Sequence, residues 1–245
     1  NAVVNEATNT VYSGTVNVSA TWIDPTSPEL NSIMPGDLRG IDGNNAMKLL
    51  TTYGMVAVEI RGNSGELLQI APGKKAELTF PIPSSILSSA PATIPLWSFD
   101  EEKGLWIEEG SAIKTGNTYV GEVGHFSFWN CDVPANFVQF NVTLHNESGQ
   151  PIPHVLVKLS LVNNPLTSAN GYTNSYGYVS GAVYPNEQIK IEVFASLYCS
   201  SPFYTQTLST GTTNLSLGIL NLAQMGANTA TISGTVTDCN NQPVT

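Results

Sequence analysis

The chain has 245 residues, of which 41% are hydrophobic and only 11% charged, with a formal net charge of −10. Nine lysines and arginines, nowhere clustered, exclude the counterion-releasing patch that nucleic acid requires and disfavour an anionic membrane surface. No apolar run approaches the roughly 20 residues of a membrane span. With 21 Gly and 15 Pro, the polar but sparsely ionised composition fits a turn-rich exported β protein.

In chain order, residues 14–22 alternate strictly, with Val16, Val18, Ala20 and Trp22 on one face and Thr15, Asn17, Ser19 and Thr21 on the other. Asp24-Pro25 ends that strand, and a polar segment to about Asn45 is too long for a tight hairpin and is expected to wrap the domain edge. Strands are predicted at 54–60, 66–71, 75–81, 94–99, 104–109, 118–123 and 125–130. The stretch 83–90 is the best short-helix candidate, with Ser84 as its cap. Trp97, Phe99, Leu105, Trp106, Phe126, Phe128 and Trp129 mark an aromatic centre, divided into strands by the turn at 100–104. A boundary is predicted near 132–135, and from Asn136 to about Leu222 the pattern is that of a second, smaller sandwich.

The C-terminal stretch 232–243 repeats the opening of that sandwich, 140–151: Phe140, Val142 and Leu144 align with Ile232, Gly234 and Val236. The expectation is an all-β chain with two β-sandwich-type domains in tandem, 1–134 and 135–226, and the first strand of a third at 227–245. With no initial Met and a single repeat strand at the end, the chain is expected to be a slice of a longer array.

The motif His125-Phe126-Ser127 carries the most specific chemistry, a hydroxyl two residues after an imidazole. In a self-cutting backbone, Ser127 Oγ would attack the Phe126 carbonyl with His125 as general base, and water would then hydrolyse the ester. Strain and an oxyanion donor would also be required, and the sequence shows neither. In a plain strand, His125, Ser127 and Trp129 face one side and Phe126 and Phe128 the other, with Ser127 merely hydrogen-bonded.

Other candidates are weaker. Glu101-Glu102 and Glu108-Glu109 bracket a turn, but adjacent acids in a strand diverge and those in a turn point to water, unlike the paired acids of sugar hydrolases. Asp37 and Asp42-Gly43-Asn44-Asn45 lack the alternating ligands and terminal Glu of a calcium loop. His125, His145 and His154 have no metal-like spacing, so no metal and no cofactor are expected. Cys131, Cys199 and Cys239 fit no zinc motif; a Cys199–Cys239 disulfide and three free buried thiols both stay open. Sequons at Asn17, Asn141, Asn146 and Asn214 arise easily by chance in a chain rich in Thr and Asn.

Residues 95–110 followed by 125–130 resemble a module of exported proteins from Bacteroidetes-type bacteria, and a similar pattern occurs in the cartilage intermediate layer proteins of animals. His125-Phe126-Ser127 also resembles the cleavage motif of ZU-type domains in self-cutting scaffolds. That resemblance implies a β-rich module over 1–134 without its first strands. The turn at 146–151 with Thr173, Gly177 and Tyr178 resembles the carboxypeptidase-regulatory-like, transthyretin-like sandwich, whose units are non-catalytic spacers and interaction modules.

The resulting expectation is a non-catalytic structural or adhesion module of a larger cell-surface protein. Its place is extracellular, with any lipid anchor to an outer membrane outside this stretch. Its partner is an unknown surface protein or glycan, without nucleic acid or membrane insertion. One alternative is a self-processing domain cleaving between Phe126 and Ser127. Another is a carbohydrate-binding module, for which Tyr172, Tyr176, Tyr178, Tyr198, Phe203 and Tyr204 are the candidate contact aromatics.

Overall fold

The computed structural model describes residues 2–165, 167–195 and 201–223, together with Cys239 and Gln242. The expected third-unit strand at 227–245 and the Cys199–Cys239 pair therefore lie outside the described residues. What is described is an all-β chain.

Ten strands build the first sheet: β1 (Val3–Asn5), β2 (Asn17–Ile23), β3 (Arg39–Ile41), β4 (Met47–Arg61), β5 (Leu67–Ile70), β6 (Ala76–Pro81), β7 (Thr93–Asp100), β8 (Leu105–Thr115), β9 (Thr118–Val123) and β10 (Phe128–Ala135). One helical turn, α1 (Leu30–Ile33), interrupts the segment expected to be an irregular wrap, and β3 lies in it too. Antiparallel pairing joins β4 to β10, β10 to β7 and β7 to β8. Strand β3 then pairs parallel with β8 and antiparallel with β4, so these five strands close on themselves. The approach of β3 is tight: a Cβ on Gly40 would stand 2.8 Å from the Trp97 ring and 2.9 Å from the Trp106 carbonyl.

Strand β4 is buried on both faces at its centre, which explains its near-continuous apolar run from Met55 to Val58. Successive residues feed two different cores. Met55, Leu50, Trp97, Trp106, Ile23 and Leu30 pack on one side. Val56, Val58, Leu96, Phe80, Tyr119 and Trp129 pack on the other. The aromatic centre expected from sequence is thus divided between the faces of one sheet, with Trp97, Trp106 and Trp129 fully buried.

The remaining strands are β11 (Val138–Asn146), β12 (Leu156–Leu161), β13 (Ser168–Tyr172), β14 (Tyr178–Val183), β15 (Gln188–Phe194), β16 (Tyr204–Ser209) and β17 (Leu215–Leu222). They form a three-stranded sheet, β14-β11-β17, and a four-stranded sheet, β13-β12-β15-β16. Phe140, Val142 and Leu144 of the first meet Val157, Ile191 and Val193 of the second in a shared core. Only Asn136 and Phe137 separate β10 from β11. Across that junction the Tyr184 phenol donates to the Leu50 carbonyl at 3.1 Å and lies 3.0 Å from Thr51 Oγ1, while Lys48 Nζ donates to Asn136 Oδ1 at 2.8 Å.

Three local expectations are corrected. Residues 83–90 form a succession of four-residue turns, with Ile86 N–H donating to Pro83 O and Ser89 N–H to Ile86 O, and no i to i−4 ladder develops there. The strand expected over 14–22 is Asn17–Ile23, and its apolar face meets solvent: Val18 is 65% and Trp22 39% exposed, since β2 pairs with β4 alone. The strand expected at 125–130 begins at Phe128. His125, Phe126 and Ser127 belong instead to the irregular link between β9 and β10, so the simple alternation expected for them does not hold.

Candidate functional site

The link is shaped by a residue 57 positions away in sequence. Gln69, on β5, accepts the Phe126 N–H at 2.6 Å through Oε1 and donates Nε2 to the Phe126 carbonyl at 3.0 Å. Both backbone groups of Phe126 are thereby satisfied outside any ladder, which lets the chain turn at Gly124 and His125 without a buried orphan. The Val58 N–H takes the Ser127 carbonyl at 3.0 Å, and regular pairing starts with Phe128 opposite Ala57.

The side chains of the motif point to separate partners. His125 Nε2 lies 3.0 Å from Glu109 Oε2, and the imidazole packs on Trp129 with ring centres 5.0 Å apart. Trp129 Nε1 donates back to the His125 carbonyl at 3.0 Å. The Ser127 hydroxyl reaches the Phe99 carbonyl at 3.5 Å, at the limit of a hydrogen bond. Nucleophile and base are neighbours in sequence, yet each is engaged elsewhere. An amide donor does stand on the Phe126 carbonyl, the group that an acyl shift would attack. Residues 125–127 hold ordinary negative φ values.

The paired acids are also committed to architecture. Glu109 accepts the Ser98 hydroxyl at 3.2 Å besides meeting His125, and Glu108 Oε2 accepts the Gly43 N–H at 2.8 Å. Glu101 and Glu102 stand exposed in the turn after β7, whose Asp100 caps the N–H groups of Glu102 and Lys103. The Lys103 ammonium, with those backbone bonds adding to it, holds the Asp100 carboxyl below its ordinary range. Asp42 Oδ1 accepts the Asn44 and Ala46 N–H groups and Oδ2 faces Lys48 at 3.4 Å, which lowers its pKa as well. Asp37 pairs instead with Arg39 at 2.8 Å. His145 lies on β11, and His154 sits with φ +57 in the following loop. Among the described residues no three His, Cys, Asp or Glu converge on a metal position.

A group that the sequence pattern placed at a boundary is buried in the middle of the molecule. Asp132 is 0% exposed, beside Asn130 and Thr52. Thr52 Oγ1 donates to Asn130 Oδ1 at 2.6 Å and Asn130 Nδ2 donates to Asp132 Oδ2 at 2.6 Å, while Asp132 Oδ1 has no partner among the described residues. Burial pushes the Asp132 carboxyl well above its ordinary range, opposed by the nearby Thr52 hydroxyl. Burial, with Asp132 adding to it, likewise raises the thiol of Cys131, leaving it unreactive. No local signal marks Asp132 as buried, since the apolar shell around it comes from Trp97 and the strands on either side.

Of the candidate contact aromatics, Tyr172, Tyr176 and Tyr178 are 50%, 75% and 40% exposed around the β13–β14 turn. Phe203 and Tyr204 pack on the core of the smaller sandwich, and Tyr198 lies outside the described residues. Three sequon asparagines have structural roles: Asn141 accepts from Ser216, Asn146 caps Ser148 and Gln150, and Asn214 accepts from Gln139. Asn17 is exposed on β2.

No family model matches the chain. It is similar to cartilage intermediate layer protein 2 of Homo sapiens, 33% identical over 110 residues that make up 44% of this chain, and to the Mus musculus protein of the same name, 35% identical over 106 residues. The chain spans 9% of the length of these relatives. Among solved structures, a streptococcal ancillary pilin gives a TM-score of 0.28 at 8% identity, covering 61% of this chain and 68% of the pilin. A shaft pilin from Lactobacillus rhamnosus GG also gives 0.28, at 7% identity, covering 86% of this chain and 89% of the pilin. Likeness of that degree sets up no equivalence between residues. No described helix is long and apolar enough to cross a membrane.

Proposed function

We propose that this chain is a non-catalytic structural and adhesive module of a larger extracellular, cell-surface protein. In this reading a ten-stranded unit over 1–134 is followed by a carboxypeptidase-regulatory-like sandwich over 135–226 and a further repeat from 227. The observation that carries it is the commitment of the His125-Phe126-Ser127 motif to the framework. His125 meets Glu109, Ser127 meets a backbone carbonyl, and Gln69 clamps the peptide between them. Similarity to a protein named for a cartilage layer supports an extracellular place. Tyr184 supports a mechanical role, because its phenol ties the end of β14 to the backbone of β4.

Self-cleavage between Phe126 and Ser127 is the second reading, favoured by one contact, the Gln69 Nε2 donor on the Phe126 carbonyl. Denaturing gels of the wild type and Ser127→Ala separate the two. Identical single bands support the module; a second band in the wild type alone overturns it. The exposed trio Tyr172, Tyr176 and Tyr178 supports a glycan as the partner. A glycan array with the folded chain tests that reading, and an absence of hits removes it.

A further inference from the structure

A cleft of about 800 Å³ separates the ten-stranded sheet from the smaller sandwich. Met34, Leu38, Arg39 and Leu49 line one wall, and the consecutive residues 167–170 and 180–184 line the other. Unbroken runs from β13 and β14 are what two strand edges present, and both strands are indeed edges of their sheets.

The register shows which backbone groups those edges offer. Leu161 N–H donates to the Thr167 carbonyl at 3.1 Å and Thr173 N–H to the Val155 carbonyl at 3.0 Å. Hydrogen-bonded pairs between β12 and β13 therefore fall on the odd-numbered residues of β13, and Ser168, Asn170 and Tyr172 turn their N–H and C=O groups away from β12. The bond from Leu144 N–H to the Gly177 carbonyl at 2.8 Å fixes β14 in the same way, with Tyr178, Ser180 and Ala182 directed outward. Tyr178 is satisfied by Asn174, but the outward backbone groups of Ser168, Asn170, Ser180 and Ala182 have no partner among the described residues. The two edges approach each other at Gly171, where a Cβ would stand 3.0 Å from Val179, and Ser168, Asn170, Ser180 and Ala182 all line the cleft.

We propose that the cleft binds an extended, uncharged peptide strand of a partner protein, which adds to the β13 edge. Backbone donors and acceptors repeating at every second residue are a template for another extended chain, with affinity from main-chain bonds and specificity from alternate side chains. Arg39 and Asp37 neutralise each other at 2.8 Å, and the free polar side chains of the lining, Gln139, Asn170 and Ser180, are neutral. The peptide therefore gains nothing from carrying charge. This inference rests on the adhesive-module reading and gives that module a mode of attachment.

The test uses the whole chain and a fluorescent seven-residue peptide alternating threonine and valine, with a control peptide carrying proline at alternate positions. Anisotropy should show binding of the first and not the second. Asn170→Pro, which removes one outward N–H and leaves the β12 ladder intact, should weaken binding at least about tenfold. Hydrogen exchange on the wild type supplies a second readout, independent of that variant's folding: the Asn170 amide should gain protection when the peptide is added. No binding at millimolar peptide, equal affinity in a folded Asn170→Pro, or an Asn170 amide unaffected by bound peptide would each overturn the proposal. Such a failure leaves the module reading standing, since that reading is tested by chain integrity.

Discussion

Gln69 holds both backbone groups of Phe126, accepting its N–H at 2.6 Å and donating to its carbonyl at 3.0 Å. A single side chain from β5 thus replaces two ladder bonds and fixes the approach to β10. Gln69→Ala should lower stability by about 2 kcal/mol, the sum expected for two partly buried hydrogen bonds. Gln69→Glu, which keeps the acceptor and loses the donor, should cost less. Urea denaturation checks the order, and an unchanged midpoint in Gln69→Ala contradicts the clamp.

Gly177 closes the turn between β13 and β14 with φ +73, and a Cβ there would collide with the Leu144 carbonyl. Gly177→Ala combines a strained conformation with a backbone clash, so it should destabilise the smaller sandwich by about 1–3 kcal/mol or more. Ala at Gly149, which has φ +74 but open space around it, should cost less. Thermal melts of the two variants make the comparison.

Tyr184 couples the smaller sandwich to the ten-stranded sheet through Leu50 and Thr51. Burial, with Asp132 adding to it, raises its phenol pKa, so the group remains a donor across the neutral range. Tyr184→Phe should lose about 1 kcal/mol, whereas Tyr176→Phe, on a 75% exposed side chain, should lose nothing measurable. Equal melting curves for Tyr184→Phe and wild type would remove this contact from the account.

Asp132 gives the chain a pH dependence of definite sign. Its folded-state pKa is raised well above the ordinary value of 3.8 by burial, so the folded form binds a proton that the unfolded form has released. The stabilisation associated with that proton is fully present below the unfolded pKa and is lost as pH rises through the folded one. Melting temperatures of the wild type should fall from pH 4 upward more steeply than those of Asp132→Asn. Parallel curves for the two proteins contradict a buried, protonated Asp132.

The strands with one covered face could be read from sequence because alternation and turn residues are local signals. Strands β6, β7 and β9 lie within one residue of the expected positions. The first half of β4 was not legible: Leu49 to Tyr53 mix apolar and polar residues without a period, because β3, β10 and Tyr184 contact them from different directions. In β2 the alternation was legible, but alternation alone does not tell whether a second layer covers the apolar face, and Val18 and Trp22 are exposed. His125-Phe126-Ser127 read as a strand because its dominant partner, Gln69, is remote in sequence. Asp132 read as a linker residue for the same reason.

The most direct test of the structural reading is the intact mass of the native chain after prolonged incubation with hydroxylamine, which cuts esters. An acyl shift at Ser127 would place an ester there, and hydroxylamine would convert it into a break. No break between Phe126 and Ser127 is predicted in the chain of 26.1 kDa, and the fragment pattern should match that of Ser127→Ala, since any cut at the hydroxylamine-sensitive Asn170–Gly171 bond is common to both. Two fragments meeting at Phe126 and Ser127, seen in the wild type and absent from Ser127→Ala, would contradict it.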